Sequence, residues 1–372
     1  MTSSSLYLTH RVASFGIRDG DPIDARNLSE LEWIGFLGTV RNQRLTGLAT
    51  AMSEDDHLIT TEAQADALHE SQRAAMIGAL SLERTLLRIG AALDEANVGF
   101  VVLKCPALAN TFYPDPSWRP FGDLDLLVHT NDFSNASEIL HAEGFARRLP
   151  EPRPGWDRDF GKAALHADAD DVQIDLHRTL VVGPFGLWID LDDLFAGSAS
   201  FEVGGRSFKR LPDPPLFLHA CMHASLGWRP PLILPIRDVA QIALYGQIDW
   251  DEVEQLARRW RLGGVLRHSA RTLARTLEIP APTGLACAYQ RVTPTRLELH
   301  ALAAYTTDRR RRGGTSLLTL AAIPGVRARL RYIIDLVFPR RSFLAARTRD
   351  GERPSYLRRW KRPLQWLHGA HR

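Results

Sequence analysis

Two aspartates two residues apart, Asp123 and Asp125 in GDLDLLV, and a third, Asp175 in VQIDLH, are the residues of this chain best suited to chemistry. On a strand, side chains at i and i+2 project from one face, so Asp123 and Asp125 can hold one cation jointly. A third acid from a neighbouring strand would complete an oxygen-only ligand set, which suits Mg²⁺ or Mn²⁺ better than zinc. It would also allow a second ion about 3.5–4 Å away, the spacing used for in-line phosphoryl transfer. By itself D-x-D is common in turns and on exposed strand faces. Context gives it weight: a short strand ending in Lys104, a Pro- and aromatic-rich crossover carrying Arg119, and a second acidic strand downstream. Lys104 and Arg119 suit the neutralisation of triphosphate charge, in a transfer governed by positioning and electrostatics. His177, two places beyond Asp175 on the same face, either orients that acid or serves as a packing histidine. His219 and His223 stand at i and i+4 with Cys221 between them. The H-E-x-x-H pattern and a third ligand are missing, so they read as structural. Gly-rich phosphate loops and the G-x-S-x-G nucleophile turn are absent.

These residues need strands to carry them. Val98–Lys104 (VGFVVLK) is a short β-branched run and reads as a buried strand. From Gly122 the text alternates, with Asp123 and Asp125 on one face and Leu124, Leu126 and Val128 on the other. From Asp171 it alternates again, with Gln173, Asp175 and His177 opposite Val172, Ile174 and Leu176. Between them DFSNASEILHAEGF predicts a helix stopped by Gly144. Upstream, Ser29 with Glu32 is a capping-box candidate. Thr61–Ala96 favours one long helix or two short ones, with Met76, Leu80, Leu87 and Leu93 on a shared face. Downstream, FEVGGRSFKRL predicts a hairpin, and 214–227, 235–246, 250–262 and 263–277 predict helices of a bundle. The end, 327–372, is strongly basic, with Trp360 and Trp366 among its arginines, and Arg309–Arg312 reads as a solvated loop.

Composition bounds the answer. At 372 residues, 24% charged and 45% hydrophobic, the chain can bury a full core in two or three coupled units. A formal charge of +3 does not force a nucleic-acid or membrane partner. Only four of the 46 basic residues are lysines (104, 162, 209 and 361), so a lysine is not the default cation here. Cys105, Cys221 and Cys287 are odd in number and widely spaced, which points to a reducing compartment. The N-terminus lacks the pattern of a signal peptide. No apolar run approaches the roughly 20 residues of a membrane span, and the expectation is a cytoplasmic protein.

The stretch LKCPALANTFYPDPSWRPFGDLDLLV resembles the signature of the uncharacterised, polymerase-beta-like nucleotidyltransferase family, in which Lys-Gly, Tyr-Pro, Arg and Asp-x-Asp follow one another. The resemblance extends through VQIDLH, whose Asp175 matches the third acid, and covers roughly residues 70–280. It implies an α+β fold: a small mixed β-sheet core flanked by helices over 71–212, an N-terminal helical segment over 1–70, and a C-terminal helical domain with a basic tail over 213–372. It also implies an NTP donor, ATP first among the candidates, with Mg²⁺ or Mn²⁺ and transfer of a nucleotidyl group to an acceptor hydroxyl. Asp123 and Asp125 would hold the donor's metal, and Asp175 would align and activate the acceptor. Lys104, Cys105, Arg119 and Gly122 would line the donor site. Cys105 departs from the family, which has Gly there. A Cβ at that point crowds the triphosphate and is expected to weaken binding. The acceptor class stays open: a small molecule, glycan or peptide leads, an RNA is less favoured, and a binding protein with a decayed site is the non-enzymatic alternative.

Overall fold

The computed structural model describes residues 3–227, 231–307 and 314–347; the basic end beyond 347, with Trp360 and Trp366, and the Arg309–Arg312 loop lie outside them. The chain opens with α1 (Ser3–Ser14), β1 (Ile23–Asp24), α2 (Glu30–Asn42), α3 (Thr46–Glu54), β2 (Leu58–Ile59) and α4 (Glu62–Glu95). Ser29 and Glu32 cap α2 reciprocally, and Thr61 and Gln64 do the same for α4. Each pair satisfies two backbone N–H groups that a helix start leaves without partners. Thr61–Ala96 is therefore one helix, 34 residues long. Its packed stripe is Leu82, Leu86, Ile89 and Leu93, whereas Leu80 is exposed. The expected face was turned the wrong way there, because the i, i+4, i+7 spacing that meets the sheet starts from Leu82.

The sheet is built from β3 (Phe100–Val102), α5 (Pro106–Phe112), β4 (Leu124–Val128), α6 (Phe133–Ala142), β5 (Ala146–Arg147), α7 (Trp156–Asp159), β6 (Ala163–Ala167), β7 (Gln173–His177), α8 (Pro184–Trp188), β8 (Ala199–Val203) and β9 (Arg206–Arg210). Seven strands lie in the order β5-β6-β7-β4-β3-β9-β8. β4 runs antiparallel to β3 and parallel to β7, so the sheet is mixed. Gly204 and Gly205, with φ of +55° and +77°, turn the β8–β9 hairpin. Positive φ at both central residues is what a two-residue hairpin loop requires. One face of the sheet carries Leu124, Leu126, Ile174 and Leu176 and packs against Leu86 and Ile89 of α4. The acids occupy the other face.

The rest is helical: α9 (Asp213–Leu226), α10 (Ile233–Tyr245), α11 (Trp250–Arg259), α12 (Gly263–Leu277), α13 (Thr283–Arg291), α14 (Arg296–Thr306), α15 (Gly314–Ala322), α16 (Val326–Val337) and α17 (Arg341–Ala346). A single apolar core joins Phe36, Leu48 and Leu68 of the N-terminal helices to Leu103 and Leu127 near the sheet and to Phe217, Val239, Leu266 and Trp260 of the bundle. The fold is α+β, with helices on both sides of the mixed sheet.

β5 and β6 come from residues whose pattern, AALHA in β6, announces no strand. His166 of β6 is buried, with Nδ1 facing the Ala164 carbonyl at 3.1 Å and Nε2 facing the Ser137 hydroxyl at 2.8 Å. A carbonyl can only accept, so Nδ1 donates and Nε2 accepts, which is the neutral tautomer. Burial pushes the His166 pKa from 6.5 down to about 4. The unfolded chain therefore binds the proton first. Stability from this residue is complete above pH 6.5 and falls, by on the order of 3 kcal/mol, as the pH drops towards 4. Denaturant titrations across that window should show this decline in the parent and a flatter profile in His166→Gln.

Candidate active site

Parallel pairing of β4 with β7 sets Asp125 opposite Asp175 in register. Asp123 stands one residue before β4, hence on the same face as Asp125. Asp125 is wholly buried, while Asp123 and Asp175 are partly open. The chain leaving β3 brings Lys104 back across the sheet, with its ammonium 3.0 Å from Asp125 Oδ2. On the other side His177 Nε2 lies 2.8 Å from Asp125 Oδ1 and 3.9 Å from Asp175 Oδ2. Cys105 Sγ is 3.5 Å from a carboxylate oxygen of both Asp123 and Asp125. Potential ligand atoms of Cys105, Asp123 and Asp125, and likewise of Asp125, Asp175 and His177, lie within 4.8 Å of one another. Both groups share Asp125.

Burial opposes the charge on Asp125, but Lys104 and the His177 bond outweigh it and hold its pKa well below the usual carboxylate range. Lys104 is buried as well, and the carboxylate of Asp125, aided by that of Asp123, outweighs this and raises its pKa above the ordinary lysine value. A second lysine enters from β6: Lys162, whose carbonyl accepts from the N–H groups of Arg178 and Thr179 just past β7. Burial and the nearby Lys104 lower the Lys162 pKa, and Asp125 and Asp175 oppose them. Burial, then the carboxylates of Asp123 and Asp125, raise the Cys105 pKa, so its thiol stays protonated. On α9, burial and Lys104 keep His219 and His223 neutral. Neither belongs to a metal-ligand group among the described residues.

A cleft whose lining includes Arg44, Lys104, Cys105, Arg119, Phe121 and His223 opens onto Asp123. Arg44 sits 3.6 Å from Asp123 and, with Gly122, borders an adjoining cavity of about 480 Å³. Of the residues expected at the site, Asp123, Asp125, Asp175, Lys104 and Cys105 converge, and Gly122 adjoins them. Arg119 lines the same cleft, but its guanidinium is engaged there. It is buried and grips both oxygens of Asp238 at 2.8 Å, while its Nη1 holds the Cys105 carbonyl at 3.2 Å. Tyr113 donates to the same Asp238 at 2.8 Å. Arg119 thus ties the β3–α5 turn to α10. Sequence reasoning did not single out Arg44, Asp238 or Lys162 for the site; for Lys162, the scarcity of lysine was the available signal.

Cys105 is held at φ +59° and ψ −114°, a conformation that glycine adopts freely and a residue with a Cβ does not. The preference for Gly at this point is therefore a backbone matter as well as one of space.

Two acids entering one strand, a third in register on its parallel neighbour and a lysine against Asp125 are thus gathered at one point of the sheet. Residues 29–278 match the family described as uncharacterised nucleotidyltransferase, and the chain belongs to it. Among solved structures, it is similar to an antigenic nucleotidyltransferase-like protein from Paracoccidioides brasiliensis, at 14% identity and a TM-score of 0.33, over 61% of this chain and 96% of that one. No curated protein matches.

Two substitutions test the frame of the site. Asp238→Ala leaves the Arg119 guanidinium buried and unpaired, and should cost about 3–5 kcal/mol in chemical denaturation. Cys105→Gly should relieve about 1–3 kcal/mol of backbone strain, partly offset by the loss of a small buried side chain. Its melting midpoint should equal or exceed that of the parent, and so should its affinity for Mg-ATP. A midpoint below the parent's would show that the turn accepts cysteine without strain.

Proposed function

We propose that the protein transfers a nucleoside monophosphate from an NTP, with ATP the first candidate, to a hydroxyl of a small-molecule, glycan or peptide acceptor, using Mg²⁺ or Mn²⁺. The observation that carries this reading is the register pairing of Asp125 with Asp175, which makes Asp125 common to two groups of potential ligands, one with Asp123 and one with Asp175. Oxygen donors of this charge suit a hard divalent cation, and both open acids face it with free lone pairs. Asp123 and Asp125 would hold the donor's ion, and Asp125 and Asp175 a second one near the acceptor. When bound, such ions neutralise charge on the polyphosphate and acidify the acceptor hydroxyl.

The chain's own residues supply the rest. Lys104, anchored on Asp125 and facing the cleft, meets the negative charge of the donor, and Arg44 offers a second cation at the cleft's rim. Asp175 aligns the acceptor hydroxyl, accepts its hydrogen bond and takes its proton as the new bond forms. The acceptor oxygen then bonds to the α-phosphorus, the bond to the bridging oxygen breaks, and pyrophosphate leaves. Burial of Asp125 and His177 keeps water from loosening this geometry, so that the groups are aligned before the donor arrives.

The deciding experiment uses ATP labelled at the α or the γ position, with Mg²⁺ and a cell lysate as acceptor source. Label should reach a product only from the α position. Asp175→Asn separates transfer from mere binding. It should keep Mg-ATP affinity within about tenfold, roughly 1.4 kcal/mol, in calorimetric titration, yet lose at least about a hundredfold in turnover. Collapse of binding would move Asp175 to the donor site, and unchanged turnover would remove it from the chemistry.

A further inference from the structure

Helix α16 carries its apolar side chains towards solvent. Tyr332 and Asp335 are buried, and Tyr332 stacks on Trp156 and meets Phe160 edge-on. Val326, Leu330, Ile333 and Ile334 are instead 70, 54, 39 and 46% exposed. At about 100° per residue these four share one arc, on the side of the helix away from Tyr332 and Asp335. Arg327 borders the arc on one side beside Arg331, which also pairs with Asp159, and Arg329, which donates to the Ile323 carbonyl through Nε, borders it on the other. A surface helix ordinarily presents charge outwards and aliphatic groups inwards; here aliphatic groups face both ways.

We propose that α16 rests on an anionic lipid surface, with its apolar arc at the headgroup–acyl boundary and its flanking arginines at the lipid phosphates. Hydrocarbon and negative charge side by side are what this face complements, and an interfacial helix needs both. A polyanion such as RNA would meet the arginines but leave Leu330 and Ile333 in water. A second copy of the same face would cover the aliphatic groups only by crowding arginine against arginine. The sequence beyond 347 adds to the attraction: seven Lys or Arg against two Asp or Glu over 348–372, together with Trp360 and Trp366. Association of this kind is peripheral. Among the described residues no helix is long and apolar enough to cross a membrane. The 12 residues of α16 span only about 18 Å.

The full chain should sediment with vesicles made of equal parts phosphatidylcholine and phosphatidylglycerol, bind phosphatidylcholine vesicles far more weakly, and detach as salt rises. The double variant Leu330→Ser, Ile334→Ser alters only exposed side chains, so its thermal midpoint should match the parent's while its vesicle affinity falls by about tenfold or more. Three results would overturn the proposal: no preference for the anionic vesicles, unaltered binding by the double variant, or a concentration-dependent dimer in sedimentation velocity that the double variant abolishes. Lipid association is the only readout, so nucleotidyl transfer stands or falls separately.

Discussion

A carboxylate with no exposure to solvent, Asp125, depends on two neighbours: an ammonium 3.0 Å from one oxygen and an imidazole 2.8 Å from the other. Burying a charge costs several kcal/mol unless hydrogen bonds and an opposite charge replace the lost water. Asp125 has both, and the elements around it serve to keep both in place. β3 has to end where it does for Lys104 to reach across. β7 has to pair in parallel with β4 for His177 to arrive from the far side. Such an arrangement contributes little net stability compared with an apolar core of the same volume. Its value lies in holding negative charge at a fixed point, with Asp123 and Asp175 half-open on either side.

Three carboxylates this close repel one another, and Lys104 and Lys162 offset that repulsion while no cation is bound. The two lysines also interact unfavourably with each other, which is part of why the Lys162 pKa falls. The centre is therefore balanced: charge brought in by a divalent ion or by a polyphosphate changes which of these pairs is satisfied. Arg44, exposed at the rim beside Asp123, is free to reorient at small cost. Lys104, enclosed, is not. The inner charges set the geometry, and the rim adapts to what binds.

Much of this was legible in the amino-acid text because it is local. The Ser29 capping box, the alternation in GDLDLLV and VQIDLH, and the Gly-Gly hairpin turn depend on residues a few places apart. What escaped reading depends on pairs far apart in sequence. The pairing of Arg119 with Asp238, on a helix more than a hundred residues later, is one of them. Lys162 precedes a strand of small residues that no periodicity marks, and it reaches the site only through the pairing of β6 with β7. Leu80 fell on the wrong side of α4 because an Ala- and Leu-rich helix offers more than one apolar stripe, and only contact with the sheet chooses among them. Cys105 is a mixed case. Its identity was visible as a departure from Gly, but its positive φ was not.

Both cations that hold down the charge of Asp125, Lys104 by contact and Lys162 at longer range, are lysines in a chain where only four of 46 basic residues are lysine. The contrast with Arg119 gives a physical reason. A guanidinium presents a planar fork and takes both oxygens of its partner, as Arg119 does with Asp238. A carboxylate held in that way has its charge and its geometry fully committed, which suits a strut. An ammonium is a point charge on a flexible stem, and Lys104 engages one oxygen of Asp125. The same oxygen also accepts from the Cys105 thiol at 3.5 Å, and the other meets His177. Lysine thus stabilises the buried charge without closing it to a further ligand. An arginine at 104 could instead take both oxygens of Asp125, as Arg119 does with Asp238.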